Sequence, residues 1–162
     1  RDISVFVVKA SQNEPKMILK EAVSKKEKAI SEQQPYKEIW MVFDDDNRKN
    51  LKTIFEEAKS KELKIAYCSL CIECWFLMHF EKKTYIFSDA KKVKTLLKKH
   101  IPGYHETMPG VYNELLLKYE KAKLNAEWLR KQKGYQDMYR SYILKPVVTI
   151  DLLIETIKSY NK

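Results

Sequence analysis

The sequence predicts an α/β protein: a parallel sheet with flanking helices, followed by a mainly helical second half. Three observations carry that prediction. Over the first 70 residues, β-rich apolar runs alternate with segments of helical periodicity in the order β-α-β-α-β, the mark of a parallel sheet with right-handed crossovers. After Tyr67 the period-two pattern stops and spacings of three and four take over. Between them, the apolar run Ile39-Trp40-Met41-Val42-Phe43 drives straight into Asp44-Asp45-Asp46. A buried strand ending in acids presents them at the carboxyl edge of a sheet, where open α/β sheets bind ligands.

Each element follows from local chemistry. Residues 3–8, Ile-Ser-Val-Phe-Val-Val, read as a strand. Asn13-Glu14-Pro15 offers a cap, an acid and an early proline, so a helix starts near Pro15 and runs into the low thirties. Met17, Ile18, Ala22 and Val23 form its buried stripe. Residues 39–43 make the second strand. A helix over about 48–61 carries Leu51, Ile54, Phe55 and Ala58 at spacings of three and four, and residues 63–67 make a short third strand. Residues 71–80 are almost wholly apolar, which suggests a buried helix. Further helices are expected over about 89–100, 111–131 and 150–160. Pro102-Gly103 and Pro109-Gly110 break the chain between them, and Thr149 is positioned to cap the last helix, with Asp151 in its first turn. No repeat or low-complexity linker divides the chain, so one domain over residues 1–162 is expected.

Bulk properties narrow the function classes. The 162 residues suffice for a real core, and no apolar run approaches the roughly 18 residues of a membrane span. No signal peptide is visible, and an odd count of three clustered cysteines makes no disulfide framework, which points to a reducing cytoplasm. A net charge of +9 favours a polyanion such as nucleic acid, although the lysines are spread over helix faces rather than gathered in one block. Only Gly103, Gly110 and Gly134 occur, so no phosphate-cradling loop of the Walker or dinucleotide type can be built.

The acids are the first candidate site. Side chains alternate along an extended chain, so Asp44 and Asp46 face one way and Asp45 the other. Two hard oxygen ligands on one side suit Mg²⁺ or Mn²⁺. The same residues also serve as helix caps and solvated surface acids, and that reading stays open. Glu73, inside Cys71-Ile72-Glu73-Cys74-Trp75, is a lone carboxylate in an apolar helix, costly to bury unless paired, protonated or metal-bound. The third strand leads directly into this helix, which places Glu73 near the edge that carries Asp44 and Asp46; its alternative role is structural, as an acceptor of N–H bonds.

Cys68, Cys71 and Cys74 share a helical face but lack the second pair of ligands that a structural zinc site needs, so buried thiols are the reading taken. His79 does not share Glu73's helix face and reads as a core histidine. Tyr104, Tyr112, Tyr119, Trp128 and Tyr135, among basic neighbours, are candidates either for stacking on bases or for the core.

The order Trp40-x-Val42-Phe43-Asp44-x-Asp46, then Ala66, then Cys71-Ile72-Glu73-x-Trp75-x-Leu77-x-His79-Phe80 resembles the RloB-like family, which includes AbiLii-type phage-resistance proteins. The likeness continues through Ile101-Pro102-x-Tyr104, Ala122-x-x-Asn125-Ala126 and Pro146-x-x-Thr149, and so covers nearly the whole chain. The resemblance implies a Toprim-like fold and a metal-dependent nuclease in bacterial anti-phage defence, often beside an ABC-type ATPase. Asp44 and Asp46 then correspond to the Asp-x-Asp metal pair, and Glu73 to the family's signature acid, with a catalytic role.

Two departures qualify those expectations. Cys68-Ser69-Leu70-Cys71 stands where members read Ser-Asn-Pro-Cys, and the Glu-Gly strand with which related proteins open does not precede Arg1. The expectation is therefore a Toprim-type endonuclease when such a segment is present. Its alternative is a non-catalytic nucleic-acid-binding or ATPase-partner subunit. Expected partners are DNA or RNA, an ABC-type ATPase and further copies of the chain, with no membrane.

Overall fold

The computed structural model describes residues 3–46, 48–82 and 89–161. Helix α1 (Pro15–Ser31) leads to strand β1 (Trp40–Asp44), helix α2 (Leu51–Ser60), strand β2 (Lys64–Cys68) and the short helix α3 (Glu73–Met78). Helices α4 (Ala90–Leu97), α5 (Val111–Leu116) and α6 (Tyr119–Gln132), a 3-10 helix (Met138–Ile143) and α7 (Ile150–Tyr160) complete the described chain. The strands β1 and β2 pair in parallel with Trp40 opposite Lys64 and Asp44 opposite Cys68. The crossover through α2 explains why they are parallel, since α2 packs on the sheet between them.

Alternation divides the sheet into two covered faces. Met41, Phe43, Ile65 and Tyr67 point one way, into a buried cluster with Leu19 of α1 and Leu51, Ile54, Phe55 and Ala58 of α2. Ala66 and Cys68 point the other way, into a cluster built by α3, α4, α6 and α7. β2 is covered on both faces. β1 is not, because Val42, on the second face, is left exposed.

The expected strand over residues 3–8 is corrected. The segment has no regular secondary structure and joins no ladder among the described residues, and Val5, Phe6, Val7 and Val8 are exposed, Val7 to 93%. Strand propensity reflects fit to a pleated, half-buried surface, and here no neighbouring strand or covered face supplies one. Phe6 meets the Tyr36 ring edge-on, at 6.5 Å between centroids. Among the described residues the sheet therefore has two parallel strands, and a Toprim-like arrangement lies beyond what it displays.

Three helical expectations also change. The helix expected over 111–131 is two, α5 and α6, broken at Leu117-Lys118, where the Lys118 N–H turns back to Leu115 C=O. Leu115, Tyr119, Ala122, Ala126 and Leu129 are all buried, so their spacing of four, three, four and three runs through the break without registering it. The 71–80 helix shrinks to Glu73–Met78, because residues 69–72 form the turn that leaves β2. Thr149 does not cap α7 with its side chain. It lies alongside β2 instead, next to an isolated antiparallel bridge between Val148 and Cys68, its Oγ accepting the Tyr67 N–H at 2.9 Å and its own N–H donating to Tyr67 C=O at 2.8 Å. Among the described residues, no helix is long and apolar enough to cross a membrane.

Candidate functional site

The three aspartates leave β1 on alternating sides, and each has a different environment. Asp44 lies on the face that carries α3; it is half-buried, and its Oδ2 accepts the Ile72 N–H at 3.1 Å. Asp45 points to the opposite face, where Tyr67 also lies, and is wholly buried at 0% exposure. Its Oδ2 accepts the Tyr67 hydroxyl at 2.6 Å and pairs with Lys145 Nζ at 2.6 Å, and its Oδ1 accepts the Leu70 N–H at 2.8 Å. Asp46 is exposed, with a φ of 41° that turns the chain away from the sheet, and its N–H donates to Leu70 C=O at 3.0 Å.

Those contacts bind the acid loop to the loop that follows β2. Asp45 N–H bonds Cys68 C=O, Asp45 Oδ1 holds Leu70, Asp46 holds Leu70 C=O, and Asp44 holds Ile72. Leu70 sits at a φ of 72°, a conformation an L side chain rarely takes, and the bonds at its N–H and its C=O both end on this aspartate loop. The result delivers Glu73, the first residue of α3, close to Asp44. Burial pushes the Asp44 carboxyl above its usual range, the Ile72 N–H opposes that, and repulsion from Asp46, Glu73 and Asp45 adds to it.

Glu73 is buried at 3% exposure, yet it has partners. The Tyr104 hydroxyl donates to its Oε1 at 2.9 Å, and Lys94 Nζ lies 3.9 Å from the same oxygen. Lys94, on α4, is also paired with Glu106. Burial and the adjoining Glu73 carboxylate push the Tyr104 phenol up, so it stays a donor. Tyr104 thus serves the buried acid rather than offering a free stacking face. Tyr119 is buried too, its hydroxyl bonding Glu155 at 2.7 Å. Trp128 is half-covered with Lys82 over its ring, Tyr135 has Arg130 near its ring, and Tyr112 alone of the five is exposed.

The cysteines are free, buried thiols. Cys68 Sγ donates to Cys71 C=O at 3.0 Å, and burial holds its thiol above the usual range. His79 is the core histidine its position suggests, with Nδ1 at 3.1 Å from Trp75 C=O and the imidazole against the indole edge. Burial depresses its basicity, opposed by those carbonyls.

Asp45, Lys145, Tyr67 and Lys94, which the sequence does not mark as site residues, surround these acids, together with Tyr104, which it marks only as a stacking or core candidate. One signal was available for Asp45: the residue opposite in parity to Asp44 must face the other side of the strand, where Phe43's neighbours lie. Nothing in the sequence brings Lys145 or Lys94 back to it.

The donor set fits one mode of Mg²⁺ or Mn²⁺ binding. Such ions keep several waters and take one or two protein carboxylates together with substrate oxygens. Asp44 and Asp46 would supply two; burial first, and then repulsion from Asp46, Glu73 and Asp45, raises the Asp44 carboxyl's affinity for a proton. A three-carboxylate cage is a different matter. Among the described residues no group of three or more His, Cys, Asp or Glu is placed to hold an ion.

Two parallel strands, the first ending in Asp44 beside the start of α3, define an α/β protein with acidic residues at the carboxyl edge of its sheet. The sequence profile of the family described as RloB-like protein matches residues 1–157, and the chain belongs to that family. No curated protein and no solved structure matches it.

Proposed function

We propose that this chain carries the acidic site of a metal-dependent nuclease, of Toprim-like type, that hydrolyses phosphodiester bonds in nucleic acid. The single observation behind this reading is the half-buried Asp44 at the end of β1, hydrogen-bonded to Ile72 at the entry to α3 and within reach of the charges of Asp46 and Glu73. Asp44 and Asp46 would hold Mg²⁺ or Mn²⁺, which when bound supplies charge neutralisation and an activated water. Asp45 fixes the loop through Tyr67, Leu70 and Lys145. Glu73, kept beside the pair by Tyr104 and Lys94, is the candidate for proton transfer. A role in anti-phage defence with an ABC-type ATPase follows from family membership as a proposal, as does assembly into homo-oligomers.

The alternative, a nucleic-acid-binding or ATPase-partner subunit without turnover, is favoured by one observation: Glu73 Oε1 is already engaged by Tyr104 and Lys94. Incubating the intact protein with DNA and with RNA, in Mg²⁺ and in Mn²⁺, decides between them. The nuclease reading predicts strand scission lost in Glu73→Gln with the melting temperature within a few degrees of wild type. Binding without scission under every condition supports the subunit instead.

A further inference from the structure

Lys94 is unlike the other lysines of α4 and of the turn that follows it. Lys91, Lys92, Lys98 and Lys99 are exposed, whereas Lys94 is turned inward and its side chain is only 31% exposed. Its ammonium lies between two carboxylates of opposite character. Glu73 is buried and also held by Tyr104, so it is a fixed partner. Glu106 is 68% exposed and sits in the loop between Ile101 and α5; Lys94 is the partner its carboxylate meets. The ammonium therefore has one inward, buried carboxyl partner and one outward carboxylate that solvent can reach.

An exposed ion pair contributes little to stability, because water and salt compete with it. A phosphodiester oxygen carries comparable charge and accepts the same N–H donors, so it can take the outward position without disturbing the pair with Glu73. The place is the right one, since Lys94 touches the carboxylate that reaches Asp44.

We infer that Lys94 is the contact for a substrate phosphate at this site, and that Glu106 covers it as an internal stand-in for that phosphate until nucleic acid displaces it. The inference rests on the reading of the chain as a nucleic-acid-binding protein. It adds a residue and a masking contact to that reading.

The test is anisotropy of a short fluorescein-labelled single-stranded oligonucleotide titrated with the full chain in EDTA, so that no cleavage intervenes. Glu106→Gln, a change at an exposed side chain, should tighten binding by about two- to fivefold, the scale of an exposed pair. Lys94→Gln should weaken it and lower the salt slope by about one, as loss of one phosphate contact does, while Lys94→Arg keeps the affinity. In the Lys94→Gln background, Glu106→Gln should have no effect. Equal tightening in both backgrounds would show that Glu106 acts through general charge, and would overturn the inference. So would a Lys94→Gln protein with unchanged affinity and slope. Absence of salt-dependent binding by the wild type removes the nucleic-acid reading itself, and the docking role of Lys94 with it.

Discussion

Replacing Asp45 with Asn tests whether the second aspartate is the fastening of the acid loop. Among the described residues its two oxygens receive the Tyr67 hydroxyl, the Lys145 ammonium and the Leu70 N–H. An amide keeps one oxygen. If that oxygen stays on Leu70, the new NH₂ faces an ammonium and a hydroxyl that were both directed at a carboxylate. Two bonds to a charged group are lost, each of the order of 1.5–3 kcal/mol. Breaking a fully buried ion pair costs about 3–5 kcal/mol, but Lys145 is 44% exposed and can swing into water, so the lower end applies. A loss of about 3 kcal/mol in a chain of 162 residues lowers the melting temperature by roughly 6–12 °C. Differential scanning calorimetry measures it, and hydrogen exchange should show faster exchange at the amides of Leu70 and Ile72. A variant melting within about 2 °C of wild type, with those amides still protected, would refute the fastening role.

Other outcomes follow from the same geometry. Asp44 is held above its unfolded carboxyl pKa, so its contribution is fully present below that unfolded value and is lost as pH rises through the folded one; at neutral pH its charge works against folding. Asp44→Asn, whose amide oxygen can still accept from Ile72, should therefore melt at or slightly above wild type, a gain of order 1 kcal/mol or less given its partial exposure; a clear loss of stability would contradict this. His79 behaves with the opposite sign. Its folded pKa is depressed, so its contribution is complete above the unfolded value near 6.5 and declines as pH falls below it; thermal melts in a series from pH 7.5 to about 5 should show the decline, reduced in His79→Phe. Arg130→Met strands buried Asp151, which it holds through two 2.7 Å bonds, and should cost about 3–5 kcal/mol in a urea titration. Adding Asp151→Leu should restore much of that loss.

Periodicity made most of the architecture legible. α1, α2 and α7 lie close to where apolar spacing and Pro15 place them, and β1 and β2 fall within a residue of their apolar runs. The pattern misled where a pattern is all there is. Residues 3–8 have a strand's composition without a strand's neighbour, and the 115–129 stripe continues across a break in the helix. The placement of the acids was legible because it is a short-range consequence of topology: alternation separates Asp45 from Asp44, and the parallel register puts the end of β2 beside the end of β1. The loop before Glu73 then has only a few residues in which to turn. What supports the site was not legible. Lys145 reaches Asp45, Lys94 reaches Glu73 and Tyr104 bonds Glu73 across separations that no local pattern encodes. A buried glutamate announces that it needs a partner, but not which one.

We propose that Asp44 and Asp46 form a divalent-cation site. Its most direct test is isothermal titration calorimetry of Mn²⁺, and then Mg²⁺, into the intact protein and into the Asp44→Asn, Asp46→Asn double variant. The predicted result is saturable binding by the wild type and none by the folded double variant, while Glu73→Gln retains most of the affinity. Identical isotherms for wild type and double variant would contradict the claim.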